Sequence, residues 1–253
     1  MEGVEVLIFD IFGSTVDWYT TVCAELKNLG ETKGPSGSEN WHAFAQAEEW
    51  RSAYMRQTQA FAKAESDPLT TPNVDEIHRG ALETMLASEQ WSHIGQCWDK
   101  DARDNLNMVW HRLHGWPDAT EGLYALKKDY IIAALSNGNA RLLVDMAKNT
   151  DLPWDAVFAG DVIGSYKPNP KMYKTTAKLL GAPPEKCAMV ATHLWDLEGA
   201  ANSGLKTVYV HRDAKEPTEE STDVRTKAEG GEVDLVVKSF TELATVLKNS
   251  HST

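Results

Sequence analysis

An apolar run at the start of the chain ends in an acid, and this feature constrains the fold more than any other. The run Val4–Phe9 is interrupted only by Glu5, and Asp10 follows it directly. Such a run is typical of a strand that is buried on both faces of a parallel sheet. Asp10 then lies at the carboxyl edge of that strand, where open α/β sheets bind their ligands. The alternative is an aspartate that only begins a turn, because aspartate is common where strands end.

Length and composition limit the classes of protein that fit. The chain has 253 residues, 42% of them hydrophobic, and this fits one large domain or two unequal ones. A net charge of −12 argues against nucleic acid and anionic membrane surfaces as partners. No uncharged apolar run of about 18 residues and no secretory signal is seen, so we expect a cytoplasmic protein without a membrane partner. Three widely spaced cysteines fit a reducing compartment and match neither a disulfide framework nor a metal site.

Strand patterns alternate with helical patterns in the second half of the chain. The further predicted strands are Tyr130–Leu135, Ala156–Ala159, Cys187–Ala191, Thr207–Val210 and Asp234–Val237. The predicted helices are Arg141–Lys148, Lys171–Leu180, Leu197–Ser203 and Thr241–Lys248. This alternation predicts an α/β fold built on a doubly wound parallel sheet. Residues 211–231 are charged and contain a double glycine, which is typical of a mobile surface loop.

A helical block interrupts the α/β pattern directly after the first strand. The sequence predicts a helix at Asp17–Leu29, N-capped by Asp17, and then a polar loop at 30–40. Residues 41–113 have apolar positions at helical spacing, with a break at 67–73 that contains two prolines. We therefore predict an α/β core domain formed by residues 1–16 and 116–253, and a helical domain at 17–115, called the insert below.

Polar residues follow the predicted strands at the edge where Asp10 lies. Ser136 and Asn137 follow one strand, the segment Thr192–Asp196 follows another, and Lys167 precedes a predicted helix. Because strand ends in a parallel sheet share one edge, these residues are expected to converge on Asp10. Each of these residues alone also has a purely structural explanation. Asn137 could form a turn, Lys167 could be a solvated side chain, and Asp196 could cap a helix.

The joint order of these residues resembles the haloacid dehalogenase superfamily. That order is an acid after the first strand, a serine or threonine after a later strand, a lysine, and an acid after another strand. The resemblance covers essentially the whole chain and implies a Rossmann-like core in which the insert is the cap domain. Within the superfamily, the type II (S)-2-haloacid dehalogenases are the closest in motif, through Ser136-Asn137-Gly138, Lys167-Pro168-Asn169-Pro170 with Tyr173, and Trp195-Asp196.

Two differences distinguish this chain from the phosphatases of that superfamily. The phosphatases carry a second aspartate two residues after the nucleophile, where this chain has Phe12, which cannot donate a proton. Many also hold magnesium with an acid four or five residues before their last aspartate, where this chain has Thr192 and Ala191. Displacing a halide requires neither a metal nor a protonated leaving group, so we expect no metal and no cofactor. The alternatives are a magnesium-dependent phosphatase or phosphonatase, a hydrolase with a non-halogenated substrate, and a scaffold without chemistry.

The resemblance implies a covalent mechanism on a small (S)-2-haloacid. Asp10 attacks C2 and expels halide with inversion, and water then hydrolyses the aspartyl ester to a 2-hydroxyacid. Lys167 pairs with Asp10 and Asp196 and keeps the nucleophile ionised. The best-known type II enzymes have asparagine where this chain has His193 and serine where it has Ala191. The base that activates the water is therefore either His193, with Asp196 orienting it, or Asp196 itself.

The expected substrate contacts combine a cation, hydroxyl and amide groups, and apolar walls. They are Phe12, Ser14, Arg51, Ser136, Asn137 and Trp195. Ser14 and Ser136 are expected to bind the substrate carboxylate or the oxyanion, and Asn137 the halide. Arg51 is the expected cation because the resembling family places an arginine early in its cap, although Arg56 is close by. That family often forms homodimers through cap helices, and this sequence permits a homodimer without requiring one.

Overall fold

The computed structural model describes residues 1–34, 49–64, 67, 69–70, 72–212 and 224–250. Its strands are β1 (Val6–Phe9), β2 (Val16–Asp17), β3 (His114–Gly115), β4 (Ile131–Ser136), β5 (Ala156–Ala159), β6 (Cys187–Ala191), β7 (Lys206–Val210) and β8 (Leu235–Val237). Six of them form one sheet in the order β5-β4-β1-β6-β7-β8, and every neighbouring pair is parallel. Each predicted strand is found to within two residues of its predicted bounds, so the parallel α/β fold is confirmed.

Helices connect these strands and fill the insert. They are α1 (Trp18–Lys33), α2 (Glu49–Lys63), α3 (Val74–Ala87), α4 (Ser92–Gly95), α5 (Lys100–Asn107), α6 (Ala119–Leu126), α7 (Ala140–Asn149), α8 (Gly160–Ile163), α9 (Pro170–Leu179), α10 (Leu194–Asn202) and α11 (Phe240–Ser250). Short 3₁₀ turns lie at 108–112, 184–186 and 227–229. In the described parts of the chain, every helix is too short or too polar to serve as a membrane span.

Several predicted boundaries were wrong. α1 does not end at Leu29 but continues to Lys33, because a glycine inside a helix costs only about 1 kcal/mol relative to alanine and Gly30 is tolerated. α10 begins at Leu194, three residues earlier than predicted. Part of the predicted loop 211–231 is a 3₁₀ turn. Residues 35–48 and 213–223, which contain the rest of the predicted loops and the start of the predicted helical block, lie outside the described residues.

The central strand β1 separates two hydrophobic clusters. Side chains on a strand alternate between faces, so Leu7 and Phe9 pack into one cluster while Val6 and Ile8 pack into the other. All four side chains are fully buried. The cluster around Phe9 also contains five tryptophans of the insert, so the insert and the sheet share one continuous apolar core. They are Trp18, Trp50, Trp91, Trp98 and Trp110.

The two ends of the insert meet in a short antiparallel ribbon. β2 pairs with β3, with Val16 opposite Gly115 and Asp17 opposite His114. These strands are only two residues long and have no alternating pattern, so the sequence did not indicate them. The ribbon places the residue after β3, Trp116, beside the chain that follows β1, where its indole Nε1 donates a 2.8 Å hydrogen bond to the Gly13 carbonyl.

A histidine held by two carboxylates links the insert to the sheet. His111 Nε2 lies 2.9 Å from Asp75 at the start of α3, and its Nδ1 lies 2.9 Å from Asp145 on α7. Asn139 also donates to Asp75, and Arg141 to Asp145. Burial alone would lower the pKa of His111, but the hydrogen bonds and charges of the two carboxylates outweigh it and raise the pKa above its usual value.

This contact is expected to make the stability of the protein fall as pH rises above the ordinary pKa of histidine. Because folding raises the pKa of His111, its contribution is complete below the unfolded pKa of about 6.5 and is lost as pH rises through the folded pKa. Denaturant unfolding of His111→Asn across that window should show a smaller loss of stability with rising pH than the parent protein. His211→Asn, which changes an exposed histidine, is the matched control and should keep the parent's pH dependence. Parallel curves for the parent and His111→Asn would contradict this account.

Candidate active site

Asp10 lies at the carboxyl edge of the sheet, between the ends of β4 and β6. Its backbone N–H donates to the Val190 carbonyl at 3.0 Å, which extends the β1–β6 pairing by one residue. The chain then turns sharply at Gly13, whose φ of 82° is in the left-handed region that glycine adopts without strain. Thr15 fixes this turn through a 2.6 Å hydrogen bond from its hydroxyl to the Asp10 carbonyl. The buried carboxylate of Asp10 is therefore held on a rigid turn.

Both oxygens of the Asp10 carboxylate accept hydrogen bonds. Lys167 Nζ lies 2.7 Å from Oδ1, and the Ser14 hydroxyl donates to Oδ2 at 2.7 Å. The Ser14 oxygen in turn accepts the backbone N–H of Thr192 at 3.0 Å. This differs from the expected contact of Ser14 with substrate, because the one proton of its hydroxyl is donated to Asp10 and is not available to an anionic substrate. Ser14 therefore orients Asp10.

Lys167 bridges the two acids that the sequence pattern singled out. Its ammonium is 2.7 Å from Asp10 and 2.5 Å from Asp196 Oδ2, and all three side chains are buried. The second oxygen of Asp196 accepts a 2.6 Å hydrogen bond from the Tyr173 hydroxyl on α9. α10 can approach this closely because Gly199 has no Cβ, which would lie only 2.8 Å from the Tyr173 hydroxyl.

The bridge separates the pKa values of the two acids. Burial raises the pKa of Asp10, but the charges of Lys167 and His193 and the hydrogen bonds to Asp10 outweigh it, so that pKa is lowered. Burial is also the largest effect on Asp196, and it raises that pKa despite the neighbouring Lys167. Burial lowers the pKa of Lys167, but the two carboxylates more than compensate and raise it. These shifts favour the ionised form of Asp10 and the charged form of Lys167, and they make Asp196 the weaker of the two acids.

His193 lies next to the Asp10 carboxylate. Its Nε2 is 2.9 Å from the Phe12 carbonyl oxygen and 3.7 Å from Asp10 Oδ2. A carbonyl oxygen only accepts, so Nε2 carries a proton in this arrangement, and in the neutral ring Nδ1 is the basic nitrogen. The imidazole stacks on the Trp195 indole at 5.8 Å between ring centroids.

A small cavity of about 20 Å³ lies beside Asp10. Its lining residues are Asp10, Phe12, Arg51, Tyr54, Met55, Ser136, Asn137, Lys167, His193 and Trp195. The structure thus brings together most of the residues that the sequence predicted for the site. Within the described chain, Ser14 and Asp196 are not among the lining residues, and both instead contact residues that are.

Arg51 brings a positive charge into this cavity from the insert. It is 97% buried on α2, and its guanidinium carbon lies 5.0 Å from the centre of the Phe12 ring, 5.1 Å from Tyr54 and 5.4 Å from Trp18. Contacts of this kind with aromatic faces stabilise a cation that has left water. Arg56, the nearby alternative, is exposed.

Ser136 ends β4, Asn137 follows it, and both line the cavity together with Arg51. The Ser136 hydroxyl oxygen accepts the backbone N–H of Gly138 at 3.1 Å, which leaves its own O–H able to donate into the cavity. Asn137 exchanges two hydrogen bonds with the backbone of Lys167, at 2.5 and 3.1 Å. These bonds fix the loop that carries Lys167, so Asn137 has a structural role besides lining the cavity.

The donor set does not suit a divalent cation. Among the residues that the structure describes, no group of three or more histidine, cysteine, aspartate or glutamate side chains is arranged to hold a metal ion. The space between the two buried acids is occupied by the Lys167 ammonium, whose charge would repel a cation there.

Several residues of the site were missed or left without a role in the sequence analysis. Tyr54 and Met55 line the cavity, and their spacing of one helical turn from Arg51 was a usable signal. Tyr173 belongs to a motif that the sequence contained, but its contact with Asp196 required the fold. Arg212, which follows β7, donates from Nε to the Ser14 carbonyl at 3.0 Å and helps hold the turn after Asp10. No local pattern marks Arg212, because it stands in a segment predicted to be a loop.

Comparison with known proteins agrees with this geometry. Residues 4–204 match the family model of the haloacid dehalogenase-like hydrolases. The chain belongs to this family. Among its relatives in the family, (S)-2-haloacid dehalogenase 4A of Burkholderia cepacia is 27% identical over 220 residues, which cover 86% of this chain and 87% of that protein.

Solved structures of haloacid dehalogenases are similar over nearly the whole chain. The L-2-haloacid dehalogenase PA0810 is 30% identical with a TM-score of 0.83, covering 97% of this chain and 99% of that one. The defluorinating L-2-haloacid dehalogenase Rha0230 is 34% identical with a TM-score of 0.83, covering 97% and 95%. The resemblance to the type II haloacid dehalogenases is confirmed.

Removing the Tyr173 hydroxyl should destabilise this haloacid dehalogenase-like fold. Tyr173→Phe leaves one oxygen of the buried Asp196 without its donor, and the expected loss in the free energy of unfolding is about 1–3 kcal/mol. Tyr124→Phe is the matched control, because its hydroxyl also donates to an aspartate, Asp151, but on the exposed surface. The control should change stability by no more than about 0.5 kcal/mol. Equal losses in the two variants, measured by denaturant unfolding, would argue against a special role for the buried bond.

Proposed function

We propose that the enzyme hydrolyses small (S)-2-haloacids to 2-hydroxyacids through an ester on Asp10, without a metal. The observation that carries this proposal is an ionised, lysine-paired carboxylate that lines a small cavity together with a buried arginine. A carboxylate nucleophile needs an electrophilic carbon held nearby, and the arginine provides a counter-charge for an anionic substrate. The names of the three similar proteins described above, each a 2-haloacid dehalogenase, support the same substrate class.

In the first step, Asp10 displaces the halide. One carboxylate oxygen forms a bond to C2 of the substrate, and the carbon–halogen bond breaks with its electron pair on the departing halide. Attack from the opposite side inverts C2. Arg51 and Ser136 are suited to hold the substrate carboxylate, and Asn137 the halide, because each lines the cavity. The walls of Phe12 and Trp195 keep water away from the nucleophile while it is alkylated.

In the second step, water attacks the Asp10 carbonyl carbon. We assign the activation of this water to His193, because it lines the cavity beside Asp10, whereas Asp196 lies behind Lys167. The water proton passes to the basic nitrogen of His193, and the tetrahedral intermediate collapses with cleavage of the bond to the product oxygen. That oxygen takes up the proton held by His193, the second proton of the water is released to solvent, and Asp10 returns to its ionised form beside Lys167.

Lys167 supplies the positive charge that magnesium supplies in the metal-dependent phosphatases of the superfamily. It keeps Asp10 ionised and balances the charge of Asp196. A phosphatase reaction is not favoured, because Phe12 lines the cavity where a proton donor for an alkoxide would be needed. The small volume of the cavity, about 20 Å³, favours short acids over long ones.

The decisive experiment measures halide release from the enantiomers of 2-chloropropionate. We expect chloride release from the (S)-enantiomer only, equal rates with and without EDTA, and (R)-lactate as the product on a chiral column. Asp10→Asn should lose at least about 10³-fold in rate, as expected for loss of a covalent nucleophile. Asp17→Asn is the control. It changes the N-cap residue of α1, outside the site, and should keep activity. Turnover of a phosphate ester that requires magnesium, with no chloride release, would overturn the proposal.

The role of His193 has a separate test. Replacing His193 with alanine should allow ester formation but slow its hydrolysis, so a stoichiometric covalent adduct should accumulate. Mass spectrometry of the intact protein and of the peptide that contains Asp10 measures this. The exposed histidine variant His211→Ala should show no accumulation. If His193→Ala turns over without a trapped ester, the water is activated elsewhere.

A further inference from the structure

A second apolar space lies next to the cavity that holds Asp10. It is a groove of about 390 Å³ between α2 of the insert and the segment that follows Lys167. Its lining residues are Gln59, Ala62, Lys63, Pro168, Asn169, Pro170 and Trp195. The mechanism proposed above does not use this groove.

One wall of the groove continues a wall of the cavity. Arg51, Met55, Gln59 and Lys63 are spaced by four residues along α2, so they form one stripe on the helix. The first two line the cavity and the last two line the groove. Met55 and Gln59 are separated by one such step, which advances about 6 Å along the helix axis. The groove therefore begins about one helical turn from the cavity.

The opposite wall is also continuous. Lys167 lines the cavity, and the next residues, Pro168, Asn169 and Pro170, line the groove. Among the residues that the structure describes, Trp195 alone lines both spaces. Its indole is partly exposed and lies with its centre 5.9 Å from Lys167 Nζ and 5.8 Å from the His193 ring. The indole thus stands at the point where the two spaces would join.

We propose that the groove is a latent subsite for the alkyl chain of longer 2-haloacids, and that Trp195 closes it and so limits the chain length of the substrate. This inference rests on the proposed function. With the carboxylate at Arg51 and C2 at Asp10, a chain that extends past Trp195 would enter the groove. The lining suits an alkyl chain, because prolines, an alanine and an indole dominate it, and the charge of Lys63 is at its exposed rim.

A substrate series with graded Trp195 variants tests the proposal. For the parent protein, Trp195→Phe and Trp195→Ala, kcat/KM is measured for (S)-2-bromopropionate and (S)-2-bromohexanoate. General damage to the site lowers kcat/KM for both substrates. The informative quantity is therefore the ratio of kcat/KM for 2-bromohexanoate to kcat/KM for 2-bromopropionate. We expect this ratio to rise at least about 10-fold in Trp195→Ala, the effect that added methylene contacts in an apolar pocket supply. Trp195→Phe, which keeps a ring, should change it much less.

Filling the groove provides an independent check. Ala62 lies in the groove but not in the cavity, so Ala62→Phe combined with Trp195→Ala should return the ratio towards that of the parent protein. If Trp195→Ala has too little turnover, calorimetry gives the same comparison from the affinities of propionate and hexanoate, and Trp195→Leu provides a second variant.

The outcomes separate the two proposals. A parent protein that releases bromide from 2-bromopropionate, with an unchanged ratio in Trp195→Ala and Trp195→Leu, overturns the subsite alone. A raised ratio that Ala62→Phe does not reverse also overturns it, because the longer chain would then lie elsewhere. A parent protein that releases no bromide from the short acid overturns the proposed function and this inference with it.

Discussion

The structure of the site depends on one ammonium group placed between two buried carboxylates. Without Lys167, Asp10 and Asp196 would be like charges in a medium that solvates them poorly, and at least one would take up a proton. With it, Asp10 is ionised and still exposed to the cavity, while Asp196 supports the lysine from behind. The neighbouring bonds from Ser14 and Tyr173 satisfy the remaining oxygens, so that each carboxylate has a fixed orientation.

The fold supplies the pieces of this arrangement from separate strand ends, and the insert closes it. Asp10 follows β1 and His193 follows β6, and because the strands are parallel, both residues lie at one edge. Arg51 reaches this edge from α2 and contacts the ring of Phe12 from the core domain and the ring of Tyr54 from the insert. A cation held among aromatic rings can attract an anionic ligand into the cavity.

Much of this could be inferred from the sequence, and what could not has physical causes. The buried strand before Asp10 and the convergence of Lys167 and Asp196 followed from apolar runs and from the shared edge of a parallel sheet. The roles of Ser14 and Tyr173 did not, because a hydroxyl acquires its partner only when distant segments pack together. The proton position on His193 was equally hidden, since it depends on the Phe12 carbonyl. The β2–β3 ribbon is too short to have a pattern, and Arg212 stands where composition indicates only a loop.

The apolar cluster shared by the sheet and the insert has a consequence for how this architecture can change. Phe9 of the sheet and Trp110 of the insert belong to the same hydrophobic cluster. The rings of Phe12, from the core domain, and Trp110 are in contact. An insert taken from another member of the family would bring different aromatic side chains, and these would leave voids or clashes beside Asp10. Single substitutions where the insert packs on the core domain are therefore easier to accommodate in this architecture than exchange of the whole insert.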